Sequence, residues 1–264
     1  MISCIEINHN QIYYSDQGSG IPIVLLHGYL ESLEIWEDFA KELSKSFRVI
    51  RFDIPGHGKS SLLKNDHNIR SITQLINAAL EKLNIQKCFV IGHSMGGYIA
   101  LMFHKLFSEK LLGFSLFHSH PFADSEETTK KRIREIKFVE EGKKDLIAKF
   151  NIPNAFANDN INVFKDAVQA AIDIALTTPK SGIIANLYAM MYREDLSKSL
   201  TNSTLPFLFI LGRKDNYIDY KQMIKKIKLP KTSEIITLEN SGHMGFIEEK
   251  DASITMVKQF INTL

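Results

Sequence analysis

The feature that most constrains this chain is a serine held between two glycines. Residues 88–98 read Cys-Phe-Val-Ile-Gly-His-Ser-Met-Gly-Gly-Tyr, so an apolar run of strand character ends at Gly92 and an amphipathic stretch begins at Met95. This GxSxG pattern predicts a strand, a sharp turn and a helix, with the hydroxyl of Ser94 exposed on the turn. The helix that follows points its N-terminal amides at that hydroxyl. Because serine is a weak nucleophile at its free pKa, chemistry at Ser94 requires a base elsewhere in the chain.

Composition limits the classes of partner. The 264 residues are 44% hydrophobic and 23% charged with a formal net charge of +2, which gives no reason to expect nucleic acid or an anionic membrane as a partner. There is no apolar run of membrane-spanning length and no signal-peptide pattern, so a cytoplasmic protein is expected. Cys4 and Cys88 are too few for a disulfide framework or a zinc site. We expect no metal and no cofactor. The expected partner is a small-molecule substrate, and the expected state is a monomer or homodimer.

Strand and helix patterns alternate over most of the chain. This alternation predicts an α/β fold with a mostly parallel, doubly wound sheet of about eight strands, covered by helices on both faces. An N-terminal hairpin is expected to precede the parallel part. The predicted strands are residues 2–7, 11–14, 23–26, 48–53, 88–92, 113–118, 207–212 and 234–238.

The alternation stops after the sixth strand. Residues 119–204 show helical patterns only, which predicts a helical cap inserted into a core formed by residues 1–118 and 205–264. Within this segment, residues 124–144 are highly charged and are expected to form a surface helix with a solvated charged face. Residues 151–162 contain a proline and several asparagines, and a loop is expected there.

Two polar residues follow predicted strands in the second half of the core. Asp215 follows the strand at 207–212, and His243 follows the strand at 234–238. In an open parallel sheet, chemistry collects at the carboxyl ends of the strands, where Ser94 also lies. A serine nucleophile needs a base to take its proton and an acid to orient that base, and the chain order Ser, Asp, His fits this arrangement.

The oxyanion of such a reaction needs two hydrogen-bond donors. The first expected donor is the amide of Met95, directly after the serine. The second is the amide of Tyr29, in the loop after the strand at 23–26. Gly28 lets the backbone turn toward the nucleophile, since it lacks a Cβ.

These motifs together resemble the α/β-hydrolase fold superfamily. The matching segments, in chain order, are the HG turn at 27–28, the DxPGxGxS turn at 53–60, GHSMGG at 92–97, the GxxD loop at 212–215 and the SGH loop at 241–243. The resemblance covers nearly all of the core and implies a capped serine hydrolase. It implies Ser94 as nucleophile, Asp215 as acid, His243 as base, and the amides of Tyr29 and Met95 as oxyanion donors.

Other candidates have weaker support. His118, His120 and Phe122 stand where the chain leaves the sheet for the cap, and with Tyr188 of the cap they are expected to line the substrate pocket. Asp124 is an alternative acid, because some members of the superfamily place the acid of the triad after the sixth strand. His93 is expected to pack or hydrogen-bond beneath the serine turn. Asp53 and His57 are expected to have structural roles in the turn at 53–60.

The function predicted from these residues is cleavage of a carboxylic ester, or a similar small acyl compound, through an acyl-enzyme. A carbon–carbon bond hydrolase, a perhydrolase-like activity and a lyase resembling that of the menaquinone pathway share the same triad and stay open. The lyase alternative depends on the arginines within residues 131–134. A ligand-binding signalling protein that turns over slowly is an alternative from another class, because fold alone does not decide function.

Overall fold

A computed structural model describes all residues from 1 to 264, and one sheet of eight strands organises it. The strands lie in the order β1-β2-β4-β3-β5-β6-β7-β8. Strand β2 pairs antiparallel with β1 and β4, and all other pairings are parallel. The strands are β1 (Ile2–Ile7), β2 (Asn10–Gln17), β3 (Pro22–Leu26), β4 (Arg48–Phe52), β5 (Cys88–His93), β6 (Leu111–Phe117), β7 (Phe207–Gly212) and β8 (Ser233–Leu238). The predicted fold class is therefore confirmed.

The inner strands are apolar because both faces of the sheet are covered. Every residue of β5 and of β7 is buried, as expected for continuous apolar runs in a parallel sheet. Strand β5 lies between β3 and β6. The turn after β5 therefore lies at the middle of the carboxyl edge of the sheet, where the loops after β3, β6, β7 and β8 also begin.

Helices cover the two faces of the sheet. Helix α2 packs on α3, and α1 packs on α11. The helices of this part are α1 (Glu37–Leu43), α2 (Ile69–Lys82), α3 (Met95–Phe107), α9 (Tyr220–Lys226), α10 (Gly245–Glu248) and α11 (Lys250–Ile261). The strongly amphipathic pattern of α2 explains its position, since its apolar side is buried and its polar side faces solvent.

The segment between β6 and β7 contains helices joined by loops, and no strand. Helix α4 packs on α5 and α7, and α5 packs on α6. The helices are α4 (Glu126–Glu140), α5 (Lys144–Ala155), α6 (Lys165–Thr177), α7 (Lys180–Met191) and α8 (Ser197–Thr201).

The loop prediction for 151–162 was wrong at its start, because α5 continues through Pro153 to Ala155. Proline removes one N–H donor, and near the end of a helix that loss affects only the last turn. The amide of Phe156 closes this turn on the Pro153 carbonyl at 3.1 Å.

No helix of the structure combines the length and the apolar character that crossing a membrane requires.

Candidate active site

The turn between β5 and α3 holds Ser94 in a strained conformation. Ser94 has φ 48° and ψ −113°, a backbone region that residues other than glycine rarely occupy. A Cβ on Gly92 would lie 2.2 Å from the carbonyl oxygen of Gly96, and a Cβ on Gly96 would lie 2.2 Å from that of Leu26. The glycines are therefore required for the turn to pack against the helix and against β3. The turn presents Ser94 to a cavity above the sheet.

His243 lies in the loop after β8, and its ring is held by Asp215 from the loop after β7. The Nδ1 atom of His243 is 2.8 Å from Oδ2 of Asp215. The other carboxylate oxygen accepts the amides of Tyr217 and Ile218 at 2.8 and 3.0 Å. His243 lines the same cavity as Ser94. With a carboxylate at Nδ1, the proton of the neutral ring lies on that nitrogen and Nε2 is free to accept a proton.

Electrostatics stabilise the charged forms of this pair. Burial alone would raise the pKa of Asp215, but the attraction of His243 and the hydrogen bonds from the histidines beside it hold that pKa well below its usual range. Burial alone would lower the pKa of His243, but Asp215 outweighs this effect and the pKa lies above its usual value. The ring can therefore take up a proton more readily than an isolated imidazole.

The two predicted oxyanion donors are the backbone amides of Met95 and Tyr29. Met95 is the first residue of α3, so its N–H has no acceptor within the helix. Tyr29 lies in the turn after β3 and lines the cavity, and its N–H has no acceptor in the protein. Gly28 before it has no room for a side chain, since a Cβ would lie 2.9 Å from Nδ1 of His93.

The sequence did not predict a buried pair, Glu31 and His93, that lies beside the turn after β3. Oε2 of Glu31 accepts the amide of Gly28 at 2.5 Å and lies 3.1 Å from Nδ1 of His93. Nε2 of His93 is 2.8 Å from the carbonyl oxygen of His243. The side chains of Glu31 and His93 are only 4% and 1% exposed. Both ring nitrogens of His93 therefore face oxygen atoms that accept hydrogen bonds, and one of these belongs to the buried carboxylate of Glu31.

This pair connects three parts of the site, namely the turn after β3, the end of β5 and the loop of His243. Burial alone would raise the pKa of Glu31, but the charge of His93 and the hydrogen bonds to the carboxylate lower it below its usual value. The sequence placed His93 beneath the serine turn correctly. An acidic residue three positions after an HG turn was the one signal that could have indicated its partner.

His118 borders the cavity, but it is held within the protein framework. It has a positive φ of 47°, and its Nδ1 atom lies 3.4 Å from Oδ2 of Asp215. The amides of Gly212 and Gly245 lie 3.0 and 3.2 Å from its two ring nitrogens. Burial lowers the pKa of His118 to about 4, so the ring is neutral at physiological pH.

The three side chains His118, Asp215 and His243 could hold a metal ion by spacing alone, since their ligand atoms lie within 4.8 Å of one another. In the structure these atoms are engaged with one another and with backbone amides. A metal ion would have to displace these hydrogen bonds. The arrangement therefore fits a hydrogen-bonded acid–base pair better than a metal centre.

The cavity above Ser94 has a volume of about 480 Å³. One part of its wall is apolar and comes from α4, α5, α7 and the loop after β7. These residues are Phe138, Ile147, Phe150, Ile152, Met190 and Ile218. A second part is polar and comes mainly from α4.

Of the four residues expected to line the pocket, the structure brings two to the cavity. His118 and His120 line it. Phe122 lies outside, stacked on His120 with the ammonium of Lys226 3.9 Å from its ring. Tyr188 is 41% exposed and stacks on the ring of Tyr192. The sequence could not show which side of α7 faces inward, because that helix is apolar nearly all round.

The charged helix α4 departs from the expectation of a solvated face. The side chain of Arg132 is only 16% exposed and donates to Asp124, which is 2% exposed. Arg193, after α7, donates to the same carboxylate and is 4% exposed. Asp124 is thus engaged by two guanidinium groups, and Asp215 is the carboxylate that contacts His243.

A serine on the turn after an inner strand of a mostly parallel sheet, with a histidine and an acid on later loops, defines an α/β fold of the hydrolase type. Residues 21–154 match the family described as alpha/beta hydrolase fold, which is about half of the chain. The chain therefore belongs to the α/β-hydrolase fold family.

Several proteins are similar over nearly the whole chain. The AB hydrolase superfamily protein YisY of Bacillus subtilis (strain 168) is 28% identical, with 97% of each chain covered. A pimeloyl-[acyl-carrier protein] methyl ester esterase of Aliivibrio salmonicida (strain LFI1238) is 25% identical over 95% of each.

Among solved structures, a thermophilic esterase from Thermogutta terrifontis superposes with a TM-score of 0.91 at 23% identity, covering 96% of this chain and 94% of that one. The enol-lactonase from Burkholderia xenovorans LB400 superposes with a TM-score of 0.90 at 23% identity, covering 98% and 100%. At these identities the superpositions establish the fold.

Proposed function

We propose that this protein is a serine hydrolase that cleaves a carboxylic ester, or a similar small acyl compound, through an acyl-enzyme. The observation that carries the proposal is the contact of His243 with Asp215, because it orients a base in the cavity that Ser94 lines. Family membership supports hydrolysis, and a relative that is similar over 95% of its length is named as a methyl ester esterase.

The reaction follows from the positions of these groups. His243 Nε2 takes the proton of Ser94 while Oγ bonds to the substrate carbonyl carbon. The amides of Tyr29 and Met95 stabilise the resulting oxyanion. His243 then gives the proton to the leaving alkoxide as the ester C–O bond breaks. The same ring then takes a proton from water, whose oxygen bonds to the acyl carbon. His243 gives that proton to Oγ of Ser94 as the bond between Oγ and the acyl carbon breaks, which releases the acid.

The helices between β6 and β7 are proposed to act as the cap, within residues 119–204, on a core of residues 1–118 and 205–264. Side chains of α4, α5 and α7 form the wall of the cavity that Ser94 lines from the sheet. In this arrangement the core supplies the bond-breaking groups and the cap supplies most of the surface that recognises the substrate.

A panel of p-nitrophenyl esters tests the proposal. We expect rapid multiple turnovers by the wild-type chain and none by Ser94→Ala, with the far-ultraviolet circular dichroism unchanged. A single slow turnover in the wild type would favour the ligand-binding alternative. Full activity of Ser94→Ala would refute the mechanism.

A lyase is the second candidate, because Arg132 and Arg134 of the segment that suggested it do line the cavity. A protein named 2-succinyl-6-hydroxy-2,4-cyclohexadiene-1-carboxylate synthase, from Salmonella arizonae (strain ATCC BAA-731 / CDC346-86 / RSK2980), is 23% identical over 92% of this chain and 95% of that one. Little turnover of every ester in the panel, with release of an unsaturated product from an acidic substrate, would favour the lyase.

A further inference from the structure

The cavity wall formed by α4 carries an excess of positive charge. Asp124 is one carboxylate shared by Arg132 and Arg193, and all three side chains are at most 16% exposed. One positive charge of this buried cluster is therefore not neutralised within it. Since an uncompensated buried charge is unfavourable, an anionic ligand beside the cluster would be stabilised.

The donors that face the cavity are free. Arg132 uses Nε and Nη2 for Asp124, which leaves Nη1 without an acceptor in the protein. Arg134, two residues after Arg132 on α4, is exposed, lines the same cavity and has no acidic partner. Lys131 pairs with Glu127, but both side chains are more than two-thirds exposed and such a pair is readily exchanged.

Glu135, the acidic residue of α4 that lines the cavity, forms no ion pair with Arg132 or Arg134. Glu135 accepts the hydroxyl of Tyr29 at 2.8 Å and the amide of Asn151 at 3.1 Å. Burial raises the pKa of Glu135 above its usual value. His120, which also lines the cavity, is kept neutral because burial and the charge of Arg193 lower its pKa to about 3.

The cluster lies within reach of the nucleophile. Tyr98 is one turn of α3 after Ser94, roughly 6 Å along the helix axis. The guanidinium of Arg193 lies 3.8 Å from the centre of the Tyr98 ring, and Tyr98 lines the cavity. A short acyl chain that starts at Ser94 and passes Tyr98 would therefore end beside the basic cluster.

We propose that the substrate carries a carboxylate at the far end of its acyl chain, bound by Arg132 and Arg134. This inference rests on the proposed ester hydrolysis and adds its substrate class. The bond broken is the same ester bond, and the products are a dicarboxylic acid and an alcohol. The apolar wall near Phe138 and Ile152 suits the methylene groups between the two ends.

The test compares two esters that differ only in the terminal charge, the p-nitrophenyl hemiester of hexanedioic acid and p-nitrophenyl hexanoate. We expect kcat/KM to be at least about tenfold higher for the hemiester, which corresponds to one charge-assisted hydrogen bond. In Arg134→Gln and Arg132→Gln this ratio falls toward one, mainly through KM. In Lys137→Gln, the same charge change on α4 outside the cavity, the ratio stays at the wild-type value.

Other outcomes would overturn the proposed carboxylate site, or would distinguish its failure from failure of the proposed ester hydrolysis. Equal or better use of the hexanoate, or a ratio unaffected in both arginine variants, overturns the inference while ester hydrolysis stands. A preference for a carboxylate on the alcohol side, measured with hexanoate esters of 4-hydroxybenzoate and phenol, overturns its placement on the acyl chain. If neither ester is turned over, the proposed function fails, and calorimetric binding of hexanedioate decides: binding lost in Arg134→Gln supports the anion site, and no binding overturns it.

Discussion

Replacing Glu31 by Gln removes the buried carboxylate that links the turn after β3 to the end of β5. Oε2 of Glu31 accepts from Gly28 and from His93, and neither side chain of the pair is more than 4% exposed. Gln keeps the shape and one acceptor oxygen, but it removes the buried carboxylate that accepts from Gly28 and faces Nδ1 of His93. Breaking a buried pair in this way costs about 3–5 kcal/mol, and we expect the lower end because an acceptor remains.

A loss of about 3 kcal/mol corresponds to a fall in the melting temperature of about 6 °C for a chain of this size. The turnover number is also expected to fall, because Gly28 fixes the turn that carries the Tyr29 amide and His93 bonds to the carbonyl of His243. Loss of a whole oxyanion donor costs about a hundredfold or more. A displaced donor should cost less, so we expect about a tenfold fall in kcat with little change in KM.

The pH dependence of stability gives a second readout. The pKa of Glu31 is lowered in the folded state. Its contribution is therefore present above the unfolded-state pKa of about 4.3 and is lost as the pH falls through the folded pKa. Thermal melts should show that wild type and Glu31→Gln differ at pH 7 and converge in acid. Glu34→Gln, the same change at an exposed position three residues further along the chain, is the control. A Glu31→Gln variant with wild-type melting temperature and kcat would refute the role of this pair.

Two further predictions concern the other charged pairs. Because the pKa of His243 is raised and the base must be neutral, kcat/KM should rise with pH through a value above about 6.5. Asp215→Asn should move this rise in the pH profile to lower pH and reduce kcat by about 10⁴. A pH profile that does not shift in this variant would count against Asp215 as the acid that orients His243. Asp124→Asn leaves two buried guanidinium groups without a counter-charge, so urea melts should show a loss of about 3 kcal/mol, and a loss below about 1 kcal/mol would show that the cluster is solvated.

Elements that follow from local pattern were predicted well. Continuous apolar runs such as 88–92 and 207–212 can satisfy burial on both faces only inside a parallel sheet, and both form inner strands. The loops carrying Asp215 and His243 follow directly from strand order, so their meeting at one edge was predictable before any coordinates were known.

Features that depend on contacts between distant segments were not predicted. Arg132 has the appearance of a solvated residue in a charged helix, and only the approach of Arg193 from the end of α7 shows that Asp124 is shared between them. Glu31 likewise depends on His93, 62 positions away. Tyr188 was expected in the pocket as an aromatic residue of the cap, but the apolar pattern of α7 carries no information on which side faces inward.

The central claim is that Ser94 is an activated nucleophile. Labelling the folded protein with a fluorophosphonate and locating the adduct by peptide mass spectrometry tests it most directly, because the probe reacts with serines that a base has activated. We expect one adduct per chain, on the peptide that contains Ser94, and none in Ser94→Ala. Labelling at another residue, or no labelling of the folded wild-type chain, would contradict it.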